Sequence, residues 1–177
     1  MKTARLITTL RCPRSCEYCC NKHPKILAQM KHVPLTGVDW SQYDEVILTG
    51  GEPTLDYVGL GAAIAHIRPM VQTLYLYSAW WTMSANDFLP LLDGITYTIH
   101  DHTGREMDEN ERLERVQTGI RLRKRDAKPF TSRLSLAPTI DRVLPVVPTA
   151  WDSIKIKRWR GQDENVLPAH ETLYLLE

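Results

Sequence analysis

The sequence predicts an α/β fold built on a parallel sheet. Three observations carry that expectation. Short runs rich in apolar and β-branched residues alternate with stretches long enough for amphipathic helices. One run, Glu45-Val46-Ile47-Leu48-Thr49, is nearly continuous in apolar residues, as a strand buried on both faces requires. The chain has 177 residues, a length that suits one domain.

Arg5-Leu6-Ile7-Thr8-Thr9-Leu10 predicts the first strand, and a cysteine-bearing loop follows it. Pro24 to Lys31 predicts a short helix with Ile26, Leu27 and Met30 on its apolar face. Pro34, Gly37 and Asp39 punctuate the connection to the second strand, Glu45–Thr49, which ends in Gly50-Gly51-Glu52-Pro53. Tyr57 to Ile67 predicts a helix, apolar at Leu60, Ile64 and Ile67 and stopped by Pro69. Val71 to Tyr77 predicts the third strand, ending at Ser78, and a short helix is expected around Asn86 to Leu91. Ile95 to Ile99 predicts the fourth strand, ending at His100-Asp101. The longest helix is expected from about Asp108 to Lys124. Leu113, Val116 and Ile120 form its stripe, and Asp108–Arg112 and Glu111–Arg115 are favourable i,i+4 pairs. Ser132–Leu136 and Ser153–Lys157 predict a fifth and a sixth strand. Pro138, Pro145 and Pro148 leave little room for a helix between them.

Composition narrows the function classes. Lys plus Arg is 22 and Asp plus Glu is 21, a net charge of +1, which argues against a broad nucleic-acid or membrane surface. Hydrophobic residues are 43% and charged residues 24%, ordinary for a globular chain. No apolar run approaches the roughly 20 residues that span a bilayer. The residues after Met1-Lys2-Thr3-Ala4-Arg5 are too weakly apolar for a signal-peptide core. The expected compartment is the cytoplasm, where thiols stay reduced.

The four cysteines, Cys12, Cys16, Cys19 and Cys20, crowd one loop. A disulfide framework would spread its cysteines to close long loops, so clustered thiols read as metal ligands or a redox site. Two metal readings stand. Zinc would take Cys12, Cys16, Cys19 and His23, a closed four-ligand set. An iron–sulfur cube held by three thiolates would keep one iron open, as a catalytic centre requires. Cys20 directly follows Cys19, and adjacent side chains do not easily aim at one cluster, so Cys20 reads as a non-ligand.

In a parallel sheet, reactive groups gather at the carboxyl ends of the strands. The cysteine loop, Gly50–Pro53, Ser78 and His100 follow four successive predicted strands, so they are expected on one rim.

Cys12-x3-Cys16-x2-Cys19 after the first strand, Tyr18 before the third cysteine, and Gly50-Gly51-Glu52-Pro53 after the second strand together resemble the radical S-adenosylmethionine (radical SAM) superfamily. The likeness extends over roughly Lys2 to Trp159. It implies a partial (β/α)6 barrel with parallel strands, somewhat truncated near strands five and six, as a single core domain over residues 1–177. It implies a 4Fe-4S cluster on Cys12, Cys16 and Cys19, with S-adenosylmethionine on the fourth iron. An electron, from a donor such as flavodoxin, would cleave that cofactor to methionine and a 5'-deoxyadenosyl radical, which abstracts hydrogen from the substrate. The cofactor carries the hard chemistry, and the protein orients it and excludes water.

The same resemblance implies individual roles. Glu52 would lie near the methionine ammonium. Gly50 and Gly51 would let backbone groups meet the cofactor. Tyr18 would lie by the adenine, Ser78 by the methionine part, and His100, with His102 behind it, by the ribose or substrate. Arg133 would grip the methionine carboxylate in a bidentate way. The plain alternatives are turn residues, packing side chains and a surface arginine. Trp80 and Trp81 either wall a substrate cavity or lie in the core. The basic run Arg121 to Lys128 is either a solvated helix end or a docking site for an acidic partner. One departure stands out: no glycine-rich segment follows Leu136. The implied substrate is a small molecule or nucleotide-like compound. The alternatives are a partner protein, as for the glycyl-radical enzyme activases, and, in another class, a non-catalytic zinc-binding module.

Overall fold

Eight parallel strands form one open sheet in the computed structural model, which describes residues 1–16, 19–100, 106–140, 143–157 and 167–177. They are β1 (Thr3–Ile7), β2 (Lys31–Val33), β3 (Glu45–Thr49), β4 (Thr73–Ser78), β5 (Gly94–Ile99), β6 (Thr131–Leu136), β7 (Ser153–Ile156) and β8 (Glu171–Leu176). The order across the sheet is β2-β8-β1-β3-β4-β5-β6-β7, and every neighbouring pair runs parallel. The described α-helices are α1 (Pro24–Leu27), α2 (Tyr57–Ile67) and α3 (Glu106–Arg123). No described helix is long and apolar enough to cross a membrane.

From β1 through β3, β4, β5, β6 and β7 the chain always steps the same way across the sheet. Right-handed crossovers that never reverse direction put their helices on one face. The core follows: Ala4 and Leu6, Val46 and Leu48, and Leu74 and Leu76 pack with Leu60 and Ile64 of α2 and Leu113, Val116 and Ile120 of α3. Side chains alternate along a strand, so the intervening residues face the other way. On that second face Ile7, Leu173 and Leu175 pack with Ile26 of α1 at the β1–β8 end. Toward the middle it is largely polar, with Arg5, Glu45, Tyr75, Tyr77, Thr96, Thr98, Arg133 and Ser135.

Local chemistry sets the boundaries. The Asp56 carboxylate accepts the Gly59 N–H at 3.0 Å and caps α2, worth about 1 kcal/mol. Both β3 and α2 coincide with the sequence expectation. β1 does not: it spans Thr3–Ile7, because Thr3 is already paired with Glu45 and Glu171. The carbonyls of Thr9 and Arg11, expected near the end of that strand and just after it, instead accept bonds from the turn after β3. The expected helix from Pro24 to Lys31 stops at Leu27, and Lys31–Val33 gains a ladder with β8 as β2. Six strands were expected and the described residues form eight; β2 and β8 are the additions. The third strand is shifted to Thr73–Ser78, and Met83–Leu91 is 3-10 rather than α-helical, with Pro90 inside it. In the basic run Arg121 to Lys128, Arg121, Arg125 and Lys128 are exposed and Arg123 is the buried cation. Arg123 is buried against the Leu89 and Lys128 carbonyls, Lys124 pairs with Asp152, and Lys128 with Asp93.

Candidate functional site

The cysteine loop leaves β1 and is held from two sides. On one side, the Gly51 N–H donates to Thr9 O and the Glu52 N–H to Arg11 O, both at 2.7 Å, and Asn21 Nδ2 donates to Gly50 O at 2.6 Å. Gly50 has φ of 150°, a region that L side chains avoid. A Cβ on Gly50 would stand 2.4 Å from Thr9 O, and one on Gly51 2.3 Å from Arg11 O. The two glycines are therefore required by the approach of the cysteine loop itself. The Gly51 N–H and Gly50 C=O, expected to meet a cofactor, are used in seating that loop.

On the other side, Arg14 lies between Cys12 and Cys16 in sequence and reaches the far wall. Its Nη2 donates to Ala79 O at 2.9 Å and pairs with Glu109 on α3. Both side chains of that pair are only 7% exposed. Glu109 also accepts from the Tyr97 hydroxyl at 3.2 Å. Burial and the neighbouring Glu109 carboxylate hold that hydroxyl protonated, well above its ordinary range. The Trp80 ring lies against Arg14 and, at 3.3 Å, against Arg112.

Glu52 and Ser78 meet. Glu52 is 1% exposed; its Oε1 accepts from Ser78 Oγ at 2.7 Å and Thr54 Oγ1 at 2.9 Å, and its Oε2 from the Ala79 N–H at 2.8 Å. Burial raises its pKa above the usual carboxylate range, against the pull of these donors. Oε1 is saturated, and Oε2 retains acceptor capacity. Glu52 thus ties the turn after β3 to the end of β4, as a partly committed carboxylate rather than a solvated one.

Cys12 is exposed, Cys16 buried and Cys19 between. Burial raises the Cys12 thiol's pKa, and the charges of Glu52 and Cys19 raise it further, so these three groups share one neighbourhood. Thiol donors fit a soft metal, iron or zinc. Among the described residues no three His, Cys, Asp or Glu side chains gather tightly enough to hold a single ion. A cube gripped at its corners asks for thiols set farther apart than one ion does. His23 is buried with Nδ1 unpartnered, but is not gathered with the cysteines in such a group. Cys20 opens a 3-10 turn, Cys20–Lys22.

The remaining expectations divide. His100 is half-buried just past β5, on the same rim. Trp81 is buried in the core and donates to Asn86, whereas Trp80 borders the loop. Tyr18 and His102 lie outside the described residues. Arg133 is not brought to Glu52, Ser78 or the cysteines: its guanidinium stacks over the Tyr75 ring at 4.9 Å, and Glu45 feels its charge. Arg14, Asn21, Thr54 and Glu109 were not legible as site residues. Arg14's place inside the cysteine motif was the one available signal. No protein-family model matches the chain, and no curated protein matches it in sequence.

Proposed function

We propose that the chain is a radical SAM enzyme, a small single-cluster member built as a partial (β/α)6 barrel, acting on a small-molecule or nucleotide-like substrate. The observation that carries this reading is the seating of the Gly50-Gly51-Glu52 turn on the cysteine loop by paired backbone hydrogen bonds. Two motifs 30 residues or more apart in sequence are built as one unit at the carboxyl ends of β1 and β3. The one-way strand order and the helix-covered first face are compatible with a partial barrel whose inner face is the polar one.

Cys12, Cys16 and Cys19 would hold a 4Fe-4S cluster, with S-adenosylmethionine as second cofactor. Together these groups would supply one-electron cleavage of a carbon–sulfur bond and hydrogen abstraction from the substrate. The chain's own residues do the rest. Arg14 and Asn21 fix the loop against Glu109 and Gly50, so the thiols are presented from a rigid frame. Glu52, held by Ser78, Thr54 and Ala79, keeps Oε2 for a cationic group of the cofactor. The polar face below the rim orients the substrate.

Anaerobic purification and reconstitution test this directly. The expected result is brown protein with about four irons per chain, as a three-thiolate cube requires. S-Adenosylmethionine should be cleaved when a reductant is added. Cys16→Ala should abolish iron retention and cleavage, while Cys20→Ala largely spares both. Colourless protein holding one tight zinc after reconstitution would replace the proposal with the zinc-module reading.

A further inference from the structure

The second face of the sheet carries an arginine, Arg133, whose hydrogen-bond donors meet no partner among the described residues. The Arg133 guanidinium carbon lies 4.9 Å from the centroid of the Tyr75 ring, a cation–π contact that restrains the side chain. Glu45 feels its charge, yet among the described residues no ion pair or side-chain hydrogen bond engages its fork. Arg5, on the same face, is instead bound through two nitrogens to Glu171. Directly beside Arg133 in register is Thr96. Thr96 is 9% exposed, and its hydroxyl is buried without a partner. Buried polar atoms are nearly always satisfied, and the planar fork of guanidinium donors matches a carboxylate or phosphate. One step nearer the rim, Thr98, Ser135 and Lys155 share the next register row and add two hydroxyls and a second cation.

Position decides what reaches these groups. Arg133 stands three residues before Leu136, about 10 Å below the end of β6 at roughly 3.3 Å per residue, and in register it lies in the row of Thr96 and Tyr77, one residue before the end of β4. The cysteine loop, Glu52 and Ser78 lie at the carboxyl ends of β1, β3 and β4. Across the sheet β6 is two strands from β4 and four from β1, so Arg133 is set aside from those groups by about 10 to 19 Å at roughly 4.8 Å per strand, too far to share one carboxylate with the cysteine loop.

We infer that Arg133 and Thr96 form the anion-binding floor of the substrate site, and that the substrate is a metabolite-sized anion whose carboxylate or phosphate rests on Arg133. The word substrate rests on the radical SAM reading; the anion site does not. The position below the rim disfavours a protein loop, which would have to thread the sheet's inner face to be read there.

Calorimetric titration of the anaerobically prepared full chain tests it, with benzoate and phenyl phosphate as the two anionic probes and benzylamine as the cationic control. One or both anions should bind and benzylamine should not; which anion binds identifies the acid group. Arg133→Met should weaken the binding about tenfold or more, the worth of a charge-assisted hydrogen bond. Thr96→Val removes an orphaned hydroxyl, so it should unfold no more readily than the parent and yet bind the anion several-fold more weakly. A merely structural Thr96 would not produce that combination. Binding of neither anion, or Arg133→Met binding as the parent does, overturns the inference. So does a loss of S-adenosylmethionine affinity in Arg133→Met with anion binding intact, since Arg133 would then serve the cofactor. A chain that retains no iron but binds the anion through Arg133 keeps the site and removes the radical chemistry.

Discussion

Arg14→Met, Glu109→Leu and the double variant form a cycle that tests whether the cysteine loop is clamped to α3. Each partner is 7% exposed, so removing one leaves the other as a buried charge without its counter-ion. Such a loss costs about 3–5 kcal/mol, whereas replacing both partners with apolar groups of similar volume is often close to neutral. Glu109→Leu would also strand the Tyr97 hydroxyl, and Arg14→Met would release Ala79 O. For a domain whose whole stability is on the order of 5–15 kcal/mol, either single change should leave it marginal. Urea unfolding in reducing, metal-free buffer is the assay. With a slope of about 3 kcal/mol/M, each single variant should lower the midpoint by roughly 1–2 M, and the double variant by much less than the sum. Single losses under about 1 kcal/mol, or a double variant equal to the sum of the two, would refute the clamp.

Gly51→Ala drives a methyl into the Arg11 and Leu10 carbonyls, so the 2.7 Å bonds to Thr9 and Arg11 must open. A loss of about 2–4 kcal/mol is expected, with less iron retained per chain; unchanged stability would mean that the loop yields freely. Asp93 offers a pH test. Burial alone would raise its carboxyl, but Arg68, the Leu74 N–H and Lys128 overcome this and hold it below the usual range. A depressed folded-state value means that the unfolded chain takes up the proton first. The stability is therefore present above about pH 4 and is lost as pH falls through the folded value. Between about pH 5 and 3 the parent should lose stability faster than Asp93→Asn, and parallel curves would exclude the effect.

What could be read from the sequence was what local chemistry decides. Glu45–Thr49 is apolar throughout and bounded by a glycine pair, and Tyr57–Ile67 has a carboxylate cap and a proline stop, so both emerged with the right bounds. Lys31–Val33 could not be read: three residues carry no period, and they become a strand because β8 presents an edge. Thr172-Leu173-Tyr174-Leu175 did carry a strand-like pattern, and β8 was there to be found. The thiols, the glycine pair and Glu52 were marked by spacing. Arg14 and Glu109 are 95 positions apart, and no local pattern announces a pair made by tertiary packing.

The polarity of the uncovered face follows from the same topology that gathers the motifs. From β1 through β3 to β7 the order never reverses, which places α2 and α3 on one side, and those strands must face something else on the other. In a fully closed barrel that interior is packed with branched apolar side chains. Here the positions on β4, β5 and β6 that alternate with Leu74, Leu76, Ile95 and Leu134 are Tyr75, Thr96 and Arg133. An apolar interior would be more stable by the ordinary arithmetic of burial, about 25 cal/mol per Å2 of apolar area. A chain that forgoes it retains hydroxyls and a stacked guanidinium where they weaken the core, one of them an unsatisfied threonine. Such groups raise the folded state's free energy unless something else satisfies them. A ligand that hydrogen-bonds Thr96 and Arg133 relieves that cost when it binds, so it should stabilise the fold in proportion to its occupancy.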